Sequence, residues 1–256
     1  MESALDFYSL RALLQWQVEL GVDEAIGDEP LNRYDAPTKM PAPSETKAAV
    51  APAQGCEVAD AVDAAQRAAD GAGDLDALRA ALAAYEHCEL KRGARNLVFA
   101  DGVAGARVMI IGEAPGREED REGRPFVGRA GQMLDRMLAT IGLSRDENVY
   151  ITNVMPWRPP RNADPKPDEI AMMRPFMQRH VALAAPEIVI LMGNISCLAG
   201  LGEKGITRLR GTWTGAWGKP ALPMFHPAYL MRNPALKRAA WADLLEVQAR
   251  LRGGAG

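Results

Sequence analysis

Side chains that could act on a substrate follow three predicted strands, at the point where each strand ends. Glu113 comes after the apolar run RVMIIG, Asn153 lies at the end of NVYITNV, and His226 follows a short run near 221–225. A carboxylate, an amide and an imidazole can stabilise charge, read a polar edge and transfer a proton. Because parallel strands bind ligands at their carboxyl ends, we expect these three side chains to meet at one edge of a sheet.

The elements that must position these residues alternate along the chain. Short apolar runs typical of strands occupy 107–112, 148–154, 187–193 and about 221–225. Helical periods lie near 130–141, 167–183, 194–201 and 234–251. Strands that are apolar on both faces and alternate with helices are typical of a buried parallel sheet. The sequence therefore predicts an α/β fold, a three-layer sandwich with a short, mostly parallel central sheet flanked by helices.

The loop after the first of these strands is rich in glycine and acids. It reads GEAPGREEDREGRPFVGRAGQML over residues 112–134 and enters a helix through Gly128 and Gly131. Backbone amides in such a turn can cradle an anion. The loop has neither the GK[ST] of a Walker A motif nor the three-glycine spacing of a dinucleotide-binding loop.

Three motifs in order carry a resemblance. The string GEAPGxxEDxxGxPFVGxAG, an Asn ending the next strand and HPAYLxR near the C-terminus resemble family 4 uracil-DNA glycosylases over residues 88–250. The resemblance implies an enzyme that hydrolyses the N-glycosidic bond of uracil in DNA, with uracil-containing DNA as its partner. It assigns Glu113 as the acidic catalytic group and His226 as the support of the leaving base. Ala114, Phe126 and Asn153 would bind the base.

These implied roles agree with the chemistry of the reaction. A flipped base needs a flat apolar surface and a reader for its edge, which Phe126 and the Asn153 amide can supply. Bond cleavage builds negative charge on the base and positive charge on the sugar, so His226 would donate to O2 while Glu113 faces the sugar. Whether Glu113 also orients the attacking water as a general base stays open.

Each of these residues could also have a purely structural role. Taken singly, Phe126 is more often a core residue, Asn153 a cap at a strand end and His226 a turn histidine. Together, at the ends of three strands, they favour a site. The acids of 118–122 are typical of a solvated loop, and of these only Glu119 and Asp120 are kept as secondary acidic candidates.

Basic and apolar residues near the motifs are candidates for DNA contact. Arg208, Arg210 and Arg232 are the favoured phosphate contacts, and Arg129, Arg158 and Arg161 are weaker ones. Tyr229 or Leu230 could fill the gap that a flipped base leaves.

The family holds a four-iron cluster on four cysteines, and this chain departs from that pattern. Aligning the motifs places the ligand positions at Tyr85, Cys88, Trp157 and Met173. A single thiolate cannot replace four, and Cys56 and Cys197 fall outside the expected spacing. We therefore predict no cluster, no other metal and no cofactor.

Composition and charge limit the remaining possibilities. No apolar run is long enough to span a membrane and no signal peptide is recognisable, so the sequence predicts a cytoplasmic protein, expected as a monomer. Residues 1–100 carry 9 basic and 17 acidic groups, a net charge of −8, whereas residues 101–256 carry 21 and 16, a net charge of +5. The basic part is compatible with phosphate contacts. We predict an accessory helix within 1–27, a flexible linker over 28–73 and a catalytic domain over 74–256.

Two other functions compete with catalysis. The same fold could recognise uracil or abasic DNA without efficient turnover, although Glu113, Asn153 and His226 together argue against this. A nucleotide-binding regulatory domain would rest on fold analogy alone, since the chain has no phosphate-binding fingerprint.

Overall fold

A six-stranded sheet forms the centre of the molecule in the computed structural model, which describes residues 54–253. Its strands are β1 (Ala100–Gly102), β2 (Val108–Gly112), β3 (Val149–Asn153), β4 (Ile188–Met192), β5 (Thr214–Ala216) and β6 (Lys219–Met224). They lie in the order β1-β3-β2-β4-β6-β5. The four inner strands are parallel, and β1 and β5 pair antiparallel at the two edges. The predicted α/β fold with a mostly parallel sheet is confirmed.

Helices precede, connect and follow the strands. They are α1 (Gln54–Asp70), α2 (Leu75–Ala84), α3 (Leu90–Gly93), α4 (Arg117–Glu122), α5 (Arg129–Ala139), α6 (Pro167–Ala184), α7 (Asn194–Leu201), α8 (Ile206–Leu209), α9 (Pro227–Arg232) and α10 (Lys237–Gly253). Short 3-10 turns occupy Pro160–Asn162 and Pro234–Leu236. No helix of the described part is long and apolar enough to cross a lipid bilayer.

Both faces of the sheet are buried, as the apolar strands predict. Along β2, Met109 and Ile111 face one core with α1, α2, α6 and α7, whereas Val108 and Ile110 face a second core with α5 and α10. Successive side chains of a strand point to opposite faces, so helices must cover each side. This arrangement is the predicted three-layer sandwich.

Helix α1 corrects the predicted linker. The sequence predicts a flexible segment over 28–73, but residues 54–70 are helical and the prediction is wrong for them. Alanines at a spacing of four, Ala61, Ala65 and Ala69, are buried and let α1 pack closely against α6. The predicted accessory helix within 1–27 and the linker before residue 54 lie outside the described residues.

The carboxyl ends of β2 and β3 are in register. Gly112 pairs with Asn153, and the pairing continues past the strands, because the Val154 and Met155 amides donate to the Gly112 and Glu113 carbonyls at 3.0 and 2.9 Å. The backbone on both sides of Glu113 is therefore tied to the segment that follows Asn153.

Candidate active site

A cavity of about 470 Å³ opens at the carboxyl edge of the sheet. Five residues singled out in the sequence as catalytic or base-binding line it together: Glu113, Ala114, Phe126, Asn153 and His226. They lie at the end of β3 or in the segments that follow β2 and β6, so the parallel strands bring distant segments to one place. The expectation that these side chains meet is confirmed in its geometry.

The close approach of two of these side chains depends on Gly112. A Cβ atom at this position would overlap both the Asn153 amide oxygen and the edge of the Phe126 ring. Only glycine leaves that space free. The last residue of β2 thus allows an aromatic ring and an amide to meet at the floor of the cavity.

The Asn153 side chain is buried with an unmet hydrogen-bonding need. It is 4% exposed, and its Oδ1 has no partner among the described residues. A buried polar atom without a partner costs free energy of folding, on the order of 1–3 kcal/mol. Such an atom in a residue that lines a cavity is typical of a ligand-binding group.

Phe126 lies beside Asn153 in an unusual backbone conformation. Its φ is +53°, in the left-handed region that aromatic residues rarely adopt. The ring is 5% exposed and lies 5.4 Å from the His226 ring, with 29° between their planes. The cavity therefore has an aromatic wall formed by a strained residue.

The His226 ring has a defined neutral form. The Ala228 amide donates to its Nδ1 at 3.2 Å, so in the neutral ring the proton lies on Nε2. Burial lowers the pKa of the ring to about 4, and the positive charge of Arg232 acts in the same direction. His226 is thus a neutral donor at physiological pH.

Glu113 is the carboxylate of the cavity. Burial raises its pKa above the usual range and the negative charge of Asp164 raises it further, whereas Lys204 and Arg232 act in the opposite direction. A partly buried carboxylate held between charges of both signs is typical of catalytic acids and bases.

The two secondary acidic candidates have structural partners. Glu119 lines the cavity, but its carboxylate accepts from the amides of Gly116, Val127 and Gly128 at 2.8–3.0 Å. Asp120 does not line the cavity, and its carboxylate accepts from the Arg95 and Asn96 amides at 2.8 and 3.3 Å. Both acids hold the backbone of loops, so neither is retained as a catalytic candidate.

The predicted phosphate contacts lie in three different surroundings. Arg232 and Arg129 are exposed and line the cavity. Arg208 lies in a different cavity, exposed and 3.8 Å from Glu203, so its contact with DNA stays a prediction. Arg210 corrects the prediction: its Nε donates to the buried Asp243 at 2.9 Å and its Nη2 to the Ala239 carbonyl at 2.8 Å. This guanidinium anchors α10 instead of reaching a phosphate.

The two residues predicted to fill the gap left by a flipped base both lie in α9, but they differ in burial. Tyr229 is half-buried beside Phe225, with ring centroids 5.6 Å apart. Leu230 is fully buried in the core, and the prediction that it fills the gap in DNA is not retained, because a core side chain cannot insert between bases.

The Pro-rich loop after β3 adds residues that the motifs do not include. Pro159, Asn162 and Ala163 line the cavity, whereas Arg158 and Arg161 do not. The Arg158 Nε donates to Asn162 Oδ1 at 2.8 Å, so its charge supports the loop. Arg117 and Met231 also line the cavity. The sequence gives no signal for these residues, since none of them belongs to the motifs.

The four positions implied as cluster ligands do not fit an iron-sulfur cluster. Tyr85, Cys88, Trp157 and Met173 are all at most 5% exposed in one apolar core. The Tyr85 hydroxyl donates to the Ala61 carbonyl of α1 at 2.8 Å, and its ring packs edge-on against Phe176. Burial raises the pKa of the Cys88 thiol to about 11, which opposes thiolate formation. Within residues 54–253, no group of three His, Cys, Asp or Glu side chains could hold a metal ion.

Comparison with known proteins identifies a family for this chain. Residues 99–245 match the model of the uracil DNA glycosylase superfamily. The chain is 38% identical over 164 residues to a type-4 uracil-DNA glycosylase of Thermotoga maritima, covering 61% of this chain and 84% of the relative. It is 35% identical to type-4 uracil-DNA glycosylases of Sulfurisphaera tokodaii, over 68% of this chain and 83% of the relative, and of Archaeoglobus fulgidus, over 68% and 91%.

Proposed function

Because the chain belongs to the uracil-DNA glycosylase superfamily and matches its type-4 members, we propose that it hydrolyses the N-glycosidic bond of a uracil flipped out of DNA. The enzyme is a hydrolase acting on N-glycosyl bonds, and its reaction begins the repair of deaminated cytosine by leaving an abasic site. The observation that carries the proposal is the buried, unpartnered Oδ1 of Asn153, a residue that lines the cavity.

Asn153 reads the edge of the base. Its Oδ1 accepts the N3–H of uracil and its Nδ2 donates to O4, so the bound base supplies a hydrogen bond that no group of the described residues supplies. Cytosine has an acceptor at N3 and a donor at C4, which would place like groups opposite each other. A site built around a buried hydrogen bond rejects such a mismatch strongly.

Phe126 supplies the flat surface of the pocket. Its ring is a wall of the same cavity as the amide, so a base that reaches Asn153 also meets the ring face. Stacking on an aromatic side chain is tolerant of sequence and stabilises an unstacked base by about 1–3 kcal/mol. Phe126 thus favours the flipped base, while Asn153 selects uracil.

His226 stabilises the departing base. The Nε2 proton, fixed by the Ala228 amide at Nδ1, is free to meet the O2 atom where negative charge develops. The low pKa of the ring means that it acts as a hydrogen-bond donor and keeps its proton, since a neutral imidazole is a very weak acid.

Glu113 faces the positive charge on the sugar. In its ionised form it stabilises the cationic sugar, orients the attacking water, or does both. The charges of Lys204 and Arg232 favour that ionised form against the effect of burial. Arg232 and Arg129, exposed residues that line the cavity, contact the phosphates that flank the flipped nucleotide.

We propose that the protein acts as a monomer, since the described residues of one chain can supply the amide, the aromatic ring, the imidazole and the carboxylate of the cavity. Sedimentation of the purified protein with and without DNA would measure this. A stable dimer would contradict it.

Incubation of the full chain with single- and double-stranded oligonucleotides that carry one uracil tests the activity. Alkaline cleavage then reveals abasic sites, and oligonucleotides with thymine or cytosine at the same position are the controls. We expect strand cleavage only at uracil. Tight binding of the uracil oligonucleotide without cleavage would instead identify a binding protein on this fold.

A further inference from the structure

Phe126 needs support to keep its backbone conformation. Its φ of +53° is one that a bulky L-residue adopts only when its surroundings impose it. Relaxation to the right-handed or extended region would swing the ring away from Asn153. Whatever holds this backbone therefore also holds the aromatic wall of the pocket.

Charged side chains of opposite sign bracket Phe126. On its carbonyl side, Arg145 donates from Nη2 to the Phe126 carbonyl at 2.8 Å and from Nη1 to the Pro125 carbonyl at 3.2 Å. After Phe126, the backbone amides of the next two residues, Val127 and Gly128, donate to Glu119 Oε1 at 3.0 and 2.8 Å. Hydrogen bonds to ionised groups are roughly twice as strong as neutral ones, so the bracket is well suited to impose an unfavourable φ.

Arg145 is itself anchored on two elements. Its guanidinium contacts Asp101 of β1 at 2.7 Å and Asp135 of α5 at 2.8 Å, and the Arg145 side chain is only 13% exposed. Gly131 completes the arrangement, because a Cβ at this position would overlap the Phe126 carbonyl that Arg145 binds. The sheet edge and α5 are thus coupled to the loop through one guanidinium.

We propose that Arg145 is a positioning residue for base recognition, which acts by locking Phe126 in its left-handed conformation. Arg145 does not line the cavity and does not touch the base. Its planar fork meets two carbonyls and two carboxylates at once, which the single ammonium of a lysine cannot reproduce. The inference rests on the proposed function, since its consequence is measured as uracil release.

A double-mutant cycle separates positioning from a general effect on stability. Single-turnover uracil release is measured for wild type, Arg145→Gln, Phe126→Ala and the double variant, beside the melting temperature of each. If Arg145 acts through the Phe126 ring, Arg145→Gln slows release on the order of tenfold in the wild-type background, as for the loss of one stacking contact. In the Phe126→Ala background the same change has almost no effect.

Matched variants complete the experiment. Arg107→Gln removes another guanidinium that binds a carboxylate, Glu187, and a backbone carbonyl, that of Leu251, but lies before β2 at the opposite end of the strand. It should leave uracil release unchanged. Arg145→Lys retains the charge and should restore the melting temperature more than the rate, and it replaces Arg145→Gln in the cycle if that variant unfolds.

The outcomes distinguish a failure of the positioning role from a failure of the proposed function. Equal slowing by Arg145→Gln in both backgrounds, or no slowing at all, would overturn the positioning role while leaving the proposed function intact. A wild-type protein that binds DNA and releases no uracil would overturn the proposed function, and this inference with it.

Discussion

The backbone amide of Ala228 donates to Nδ1 of His226, two residues before it at the start of α9. A histidine in this position caps its own helix and cannot turn its ring without losing that bond. The helix therefore fixes both the orientation of the ring and the nitrogen that carries the proton. The proposed catalytic donor is thus set by local backbone geometry.

Replacing His226 by Ala should slow uracil release on the order of a hundredfold or more, because the lost donor meets charge that develops only in the transition state. Binding of DNA with a non-cleavable uracil analogue should change little. Single-turnover kinetics beside equilibrium binding measure both quantities. The control is His87→Ala, an exposed histidine outside the cavity. Equal loss of rate and affinity would show that His226 serves binding only.

Replacing Asn153 by Asp should raise the excision of cytosine relative to uracil, even if both rates fall. The carboxylate loses the N–H that meets O4 and repels that oxygen, whereas cytosine offers a donor at the same position. Competing oligonucleotides that carry either base measure the ratio. Asn194→Asp is the matched control, since Asn194 Oδ1 accepts from the Gly205 and Ile206 amides and an aspartate can do the same. An unchanged ratio would remove Asn153 from base reading.

The motifs and the strands can be predicted from the sequence because both reflect local patterns. Continuous apolar runs such as VMIIG mark strands buried on both faces, and the residues after parallel strands must meet at one edge. The amino-acid pattern alone therefore predicts that Glu113, Asn153 and His226 lie together. Their joint position follows from the parallel topology.

Long-range partners cannot be predicted in this way. Arg210 lies in a basic loop that favours phosphate contact, yet its charge is used by Asp243, which is 33 residues away in the chain. Arg145 lies in no recognisable motif, because its proposed role depends on the carbonyls of Pro125 and Phe126, about 20 residues earlier in the chain. A charge pattern shows how many basic side chains a loop has. The partner that each side chain binds depends on the fold.

The purified protein should contain no iron. Three of the four implied ligand positions are Tyr85, Trp157 and Met173, and the Tyr85 hydroxyl is already bonded to α1. Metal analysis and a visible spectrum after anaerobic purification test this, and near-stoichiometric iron with a broad visible band would contradict it. Cys88→Ala should then cost on the order of 1–2 kcal/mol of stability, like Cys197→Ala, the other buried cysteine among the described residues.

Glu113 should produce an acid limb in the pH profile of single-turnover release. Its pKa is raised by burial, and only the ionised form faces the sugar cation usefully, so the rate climbs as pH rises through this raised pKa and then levels off. His226 adds no limb near pH 6.5, because its pKa lies at about 4. Glu113→Gln should lower the rate and flatten the limb, whereas Glu122→Gln, a change to an exposed acid of α4, should do neither.

Because Glu113 and His226 are proposed to act on the same bond, the rate of their double variant should fall by less than the product of the two single reductions. Near-normal rates for both single variants would show that the catalytic groups lie elsewhere in the cavity.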